Sequence, residues 1–397
     1  ETSFHYNAIG ELLSVVHPNK EMTSYEYDGL GRKTSVDHPD AGLTTFEYDA
    51  AGNMTAKQTP NLRTANGKTR YTYDYERLSE IVYQKNIYNR VTYTYGDATE
   101  TAYNRAGRLK LVEDGSGGEA YYYGKLGEVT KTIKTILLAE TDIRTYIWES
   151  DYDSWNRINS MTYPDGEVVT YGYDKGGNLQ TMKTEKEGDV QTLIAEQRYD
   201  KYGNLTYRKM GNGTETKYDY DEKRLHLNQM SLTSNGVKMM ENVYKYDAVD
   251  NILGITNAAA PLGEIGGTFS HSYQYDAVNR LVCASGTVKD KNYELLMRYD
   301  VMSNPVQKDS INYEYDTESH PNAVSRAGSK VFSYDANCNP ISIEDTPANT
   351  LRVMQWDEEN RLQALGDDGY VSKYTYNHAG ERIVKSHGKT TVAFVNG

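Results

Sequence analysis

Aromatic and polar residues alternate over short stretches along the whole chain: Tyr25/Tyr27, Phe46/Tyr48, Tyr71/Tyr73, Tyr171/Tyr173, Tyr244/Tyr246, Tyr273/Tyr275, Tyr313/Tyr315 and Tyr374/Tyr376 each sit two residues apart. That separation puts both rings on one face of a β-strand, and Tyr with Thr suits a half-buried pleated surface. After the second aromatic come Asp, two variable residues, a turn former, then Asn or Arg, and Leu, Ile or Met opening another alternating stretch, as in YDGLGRKTSV from Tyr27 and YDKYGNLTYR from Tyr199. The pattern predicts a hairpin: strand, tight turn, return strand.

The unit is led by Tyr6, Tyr27, Tyr48, Tyr73, Tyr103, Tyr123, Tyr152, Tyr173, Tyr199, Tyr220, Tyr246, Tyr275, Tyr299, Tyr315, Tyr334, Trp356 and Tyr376, which makes 17 copies about 23 residues apart. The residue after the lead, Asp in most copies, has a short acceptor side chain able to bond backbone N–H groups further on and close an Asx-type turn. Four residues after the lead stands Gly in eight copies (Gly10, Gly31, Gly52, Gly107, Gly127, Gly177, Gly203, Gly380) and Asn or Asp in four (Asn156, Asp250, Asn279, Asn360). These types tolerate positive φ, as a type I turn followed by a bulge requires. Between copies lie Pro39-Asp40-Ala41-Gly42, Pro164-Asp165-Gly166 and Asn212-Gly213, further turn signals. Each unit therefore holds two strands of roughly 5 to 8 residues, and the copies form one continuous antiparallel ribbon over residues 1–397. No amphipathic helix is expected. Residues 131–149 read as strand with a longer connection, and residues 258–267 as a long loop.

Composition fits this picture. Hydrophobic residues make up 38% and mean hydropathy is −0.76, values that alone describe a disordered chain; 37 Tyr with 5 Phe and 3 Trp contradict that, because large rings are how a chain buries area. The net charge of −13, without a basic block, disfavours nucleic-acid binding. No run approaches a membrane span. Two cysteines, Cys283 and Cys338, are no disulfide framework for this length, and they fall at different phases of their copies. The first residues, Glu1-Thr2-Ser3-Phe4-His5-Tyr6, lack an initiator Met and a signal-peptide pattern, so the chain is expected to be an internal piece of a longer protein.

The repeated YDxxGN(L/R) unit with Tyr-x-Tyr-Asp leads resembles the YD-repeat, or Rhs (rearrangement hotspot), proteins over essentially the whole chain. The resemblance implies an all-β fold, a hairpin ribbon wound as a spiral hollow shell, here a partial one. In bacterial toxin-complex and polymorphic-toxin members such a shell encloses a C-terminal toxin; in the more distant teneurins a similar barrel serves cell-surface adhesion. It thus implies a structural segment of a large exported bacterial protein, secreted or at the cell surface, with a C-terminal toxin or effector cargo as partner. Nothing following Tyr376-Asn377-His378-Ala379-Gly380 looks like the family's self-cleaving core segment, so the self-cleavage residues and a toxin domain are not expected here.

The residues offer no competing chemistry. An Asp recurring at one phase of every copy has a repeated structural duty, whereas acid–base catalysis needs a single constellation with distinct environments; no catalytic residues are expected. The eight histidines (His5, His17, His38, His226, His271, His320, His378, His387) have no metal-ligand spacing, and no metal or cofactor site is assigned. Gly115-Ser116-Gly117-Gly118 lacks the Lys-Ser/Thr of a phosphate loop and reads as a hairpin tip. The alternative function is a cell-surface adhesin or carbohydrate-binding array using the tyrosines, with a glycan partner. It demands rings clustered on an exposed face, whereas a shell holds them within its wall.

Overall fold

The computed structural model describes residues 1–100, 102–139, 141–259, 267–315, 318–367 and 369–395. Among these, 35 strands follow one another, from two residues at Arg326–Ala327 to eleven at Val129–Ala139. Successive strands pair antiparallel along most of the chain, as in Met22–Tyr27 with Lys33–His38, Lys33–His38 with Gly42–Tyr48, and Gly42–Tyr48 with Met54–Gln58. The expected all-β hairpin ribbon is therefore what the chain forms.

The hairpin geometry follows from the turn residues. Gly31 N donates to Asp28 O at 3.0 Å and Asp28 N to Arg32 O at 2.9 Å, closing a four-residue turn with a bulge. The register slips beside the lead ring: Glu26 faces Ser35 but Tyr27 faces Lys33, and the same slip recurs at Tyr48, Tyr173, Tyr199, Tyr220, Tyr246 and Tyr275. A residue in the left-handed region is how such a bulge is built. All twelve Gly, Asn and Asp positions expected there have positive φ, from +58° at Asn360 to +95° at Gly52. Ser303 (φ +71°) and Cys338 (φ +67°) take the same conformation in their copies, although neither residue type advertises it.

Three features depart from the sequence reading. Tyr103 does not lead a copy: it sits in a single 3₁₀ turn, Ala102–Asn104, at φ +59°, and the strand that leads is Val91–Tyr95. The Tyr-Asn pair at Tyr103 imitates a lead because the intervening turn is lengthened while still ending in Gly107. Residues 131–149 do not carry a longer connection; they belong to strands Val129–Ala139 and Asp142–Tyr152, with two residues between them. One short helix, Pro60–Thr64, replaces a tight connection: Thr59 caps it, Oγ1 accepting from Leu62 N, Pro60 opens it, and Leu62 is buried. Five residues are too few to show a 3.6-residue period. Of the loop expected at 258–267, residues 260–266 lie outside the described residues.

Contacts group the chain into two compact units. Residues 148–298 with 307–309 form a meander of successive hairpins. Burial there is partial and spread thinly, with Val169, Ile194 and Ala284 among the few buried apolar side chains. The other unit, residues 1–147 with 299–306 and 310–397, has two small apolar clusters. Tyr83, Val91 and Val112 form one; Ile136 with Ile383 and Val384 forms the other and joins strands far apart in sequence.

Candidate functional site: the repeat turn and the seam

The recurrent chemistry of the chain is structural. After most leads the Asp accepts two backbone bonds through one oxygen: Asp28 Oδ1 from Leu30 N (2.9 Å) and Arg32 N (3.0 Å), Asp200 Oδ1 from Tyr202 N (2.8 Å) and Asn204 N (2.9 Å), Asp276 Oδ1 from Val278 N and Arg280 N, both 3.0 Å. Asn7 and Asn377 do the same with their amide oxygens. The other carboxylate oxygen takes the side chain four residues on, Arg32 Nε at 2.7 Å, Asn204 Nδ2 at 2.9 Å and Arg280 Nε at 2.6 Å. This is why the copy prefers Asn or Arg there. Where it is Arg, the guanidinium also covers the next lead ring: Arg32 over Tyr48 at 4.9 Å, Arg157 over Tyr173 at 4.4 Å and Arg361 over Tyr376 at 5.3 Å.

These bonds favour the ionised carboxyl. The backbone N–H of the residue four on is the main reason Asp28, Asp174 and Asp276 titrate below the ordinary Asp value. For Asp49, Asp153, Asp200 and Asp247 the side chain of that residue is the main cause.

The lead tyrosines explain their own identity. Tyr27, Tyr48, Tyr173, Tyr275 and Tyr376 are half-buried, and each reaches back to the residue that opens the previous return strand: Tyr27 Oη donates to Leu12 O (3.1 Å), Tyr48 to Lys33 O (2.8 Å), Tyr173 to Ile158 O (2.7 Å), Tyr275 to Ile252 O (3.0 Å) and Tyr376 to Leu362 O (2.8 Å). Trp356 supplies Nε1–H to Pro340 O at 2.7 Å instead. Tyr95 donates to Leu78 O at 3.1 Å, the signature that marks it, and not Tyr103, as a lead. Burial raises the hydroxyl pKa of Tyr27, Tyr199, Tyr246 and Tyr275, and that of Tyr315 to about 12.

Within the unit containing both chain ends, the turns of the last copies lie against the connections of the first, forming a seam. Asn337 Oδ1 accepts from Asn61 N at 2.9 Å and its Nδ2 donates to Thr59 Oγ1 at 3.2 Å; Asn61 Nδ2 donates to Asp335 Oδ2 at 2.8 Å. Asn322 N and Nδ2 donate to the two Asp40 oxygens at 2.7 and 3.0 Å, while His320 Nδ1 lies 2.6 Å from Asp40 O. Lys57 Nζ meets Glu359 Oε2 at 3.1 Å. At the far end His378 N donates to Asp114 Oδ2 at 2.7 Å, with His378 Nδ1 3.5 Å from the same oxygen. Burial works against the ionised Asp114, but bonds from His378 and Ser116 outweigh it and hold its pKa below the ordinary value. No single copy signals these pairings, which span about 280 residues.

Gly115 and Ser116 form a hairpin tip, Asp114 facing Gly117. Cys283 and Cys338 are free. Among the described residues no group of three or more His, Cys, Asp or Glu is arranged to hold a metal, and no helix is long and apolar enough to cross a membrane. His320 and His378 belong to the seam.

Comparison with known proteins agrees with the repeat. The RHS Repeat family matches residues 6–43 and 152–190. The chain is 25% identical over 244 residues to the tRNA3(Ser)-specific nuclease WapA of Bacillus spizizenii and 24% identical to the tRNA nuclease WapA of Bacillus subtilis; each match takes in 60% of this chain and 9% of the relative's length. Among solved structures, the Photorhabdus luminescens Tc holotoxin pore matches with a TM-score of 0.83 at 17% identity, over 99% of this chain and 22% of that one. TcdB2-TccC3 without its hypervariable C-terminal region matches with a TM-score of 0.75 at 16% identity, over 98% of this chain and 23% of that one. With the hydroxyl-keyed hairpins and the bulged Asx turns recurring along the chain, these likenesses show a chain that carries RHS repeats at residues 6–43 and 152–190 and has the fold of the matched segments of those toxin-complex structures.

Proposed function

We propose that this chain is a non-catalytic wall segment of a large exported bacterial Rhs-type protein, and that the wall encloses a C-terminal toxin or effector. The observation that carries this reading is the seam: a ribbon whose late turns lock onto its own early connections makes a partition, and a partition serves compartmentation. The tyrosines support it as well. The lead rings of Tyr27, Tyr48, Tyr173, Tyr275 and Tyr376 are half-buried with their hydroxyls bonded to backbone carbonyls, which favours rings spent inside the ribbon over rings displayed for a glycan. Likeness to a toxin-complex structure and to nucleases of which this chain covers only a small part supports a carrier role, with the cargo and its export resting on that likeness. Limited proteolysis of the full-length protein is the test. The segment following the repeats should resist protease while the repeats are folded and become cleavable once the seam is opened by substitution; a following segment equally accessible in both states overturns the reading.

A further inference from the structure

Beside the seam, within the unit containing both chain ends, lies a groove of about 700 Å³, a size suited to a small ligand or a few residues of peptide. Its lining includes Lys85, Met354, Gln355, Trp356, Glu358 and Gln363. Trp356 leads its copy, but the preceding copy has Asn339 where others carry Arg, and among the described residues no cation covers this ring, unlike Tyr48, Tyr173 or Tyr376. Its N–H is already committed to Pro340 O, so the ring meets the groove as an apolar surface, continued by Met354.

Asn61, Asp335 and Asp357 on the lining are already hydrogen-bonded, but part of the polar lining is unspent. Among the described residues the Lys85 ammonium and the amides of Gln355 and Gln363 make no hydrogen bond or ion pair. Glu358 is 6% exposed, its Oε1 has no partner, and its burial raises the carboxyl pKa. A buried carboxyl oxygen without a partner is costly to a fold, and here it shares a groove with Lys85, whose charge acts on Glu358 from a distance without a direct ion pair. The backbone of the wall is not available: strand Thr350–Trp356 pairs on both sides, with Pro340–Asp345 and with Leu362–Asp367, so strand addition is closed to a guest. A guest must be read by side chains.

We propose that this groove binds a short peptide segment in which an apolar or aromatic side chain, seated on Trp356 and Met354, is flanked by an acidic group facing Lys85 and a basic or amide donor facing Glu358. The Gln363 amide reads the peptide's backbone. This site does not depend on the compartment reading, since it would serve an adhesin equally.

The test is fluorescence polarisation on the full chain with two labelled, end-capped tetrapeptides, Asp-Phe-Gly-Lys and Lys-Phe-Gly-Asp, and with Ala-Phe-Gly-Ala and maltotriose as comparison ligands. At least one charged peptide should bind saturably, and Ala-Phe-Gly-Ala about tenfold more weakly. Lys85→Glu, at an exposed position, should weaken that peptide about tenfold and restore binding when its acidic residue is replaced by Lys. Glu358→Gln should reduce the preference for the basic residue while far-UV circular dichroism stays unchanged. The proposal is overturned if no peptide saturates, if neither substitution alters the charge preference, or if maltotriose binds and the peptides do not.

Discussion

If packing were its only duty, the lead ring could be phenylalanine. It is tyrosine or tryptophan because the ring must end in a donor for a carbonyl one copy back, and a buried carbonyl left without its partner costs about 1 kcal/mol or more. Tyr275→Phe should therefore destabilise the protein by about 1 kcal/mol in urea denaturation, although it removes only one oxygen. At the turn, Asp200→Asn keeps an oxygen for the backbone bonds, as Asn7 and Asn377 do, but loses the bond from Asn204 Nδ2, so it should lower the melting temperature less than Asp200→Ala, which removes both. Titration acts on the same groups. The turn aspartates have pKa values lowered by folding, so their contribution is complete above the unfolded value of about 4 and is lost as pH falls through the depressed folded values. The lead tyrosines have raised values, reaching about 12 at Tyr315; their contribution is complete below the unfolded value of about 10 and is lost as pH rises through the folded ones. A melting-temperature profile across pH should fall at both ends for these two separate reasons.

The hairpin repeats because a backbone requirement narrows the choice of residue, and that is also why so much of it was legible. Gly, Asn and Asp at the fourth position announce positive φ, and the structure has it at every one of them. Ser303 and Cys338 escaped notice because neither type prefers that conformation; their copies are held to it by the rest of the hairpin. Tyr103 misled because the Tyr-Asn pair recurs by composition, and only the hydroxyl bond of Tyr95 tells the two apart. A substitution that respects space but not φ isolates this effect. Gly203 has φ +87° with nothing within 4 Å of an added Cβ, so Gly203→Ala should cost about 1 kcal/mol through backbone strain alone. Asn156→Gly should stay within a few tenths, both read from the same denaturation curves.

At the scale of the molecule, local pattern stops being informative. The seam depends on Asn337 meeting Thr59 and Asn61, and on His378 meeting Asp114; nothing in an isolated copy distinguishes these residues from others at the same phase. The groove at Trp356 was likewise invisible, since it needs a helix turn and copies from distant parts of the chain. Asn337 is buried and bonded on both sides of the seam, so Asn337→Ala should cost about 1 to 3 kcal/mol by leaving Asn61 N unpaired and removing the bond to Thr59 Oγ1. Hydrogen exchange should localise the loss, with faster exchange in strands Lys330–Tyr334 and Pro340–Asp345 and unchanged protection in strands Leu205–Met210 and Thr214–Tyr220.

The tyrosine hydroxyl bond has one more implication. The distance it bridges along the chain runs from 10 residues at Tyr315 to 23 at Tyr275, yet its two ends stay at the same places in the copy. Each new hairpin is gauged against the last by a feature that ignores how much chain lies between. The ribbon can thus gain or shed copies, or accept insertions on its connecting edge, without its neighbours losing alignment. Its length is free to drift over evolution while its construction rule stays fixed.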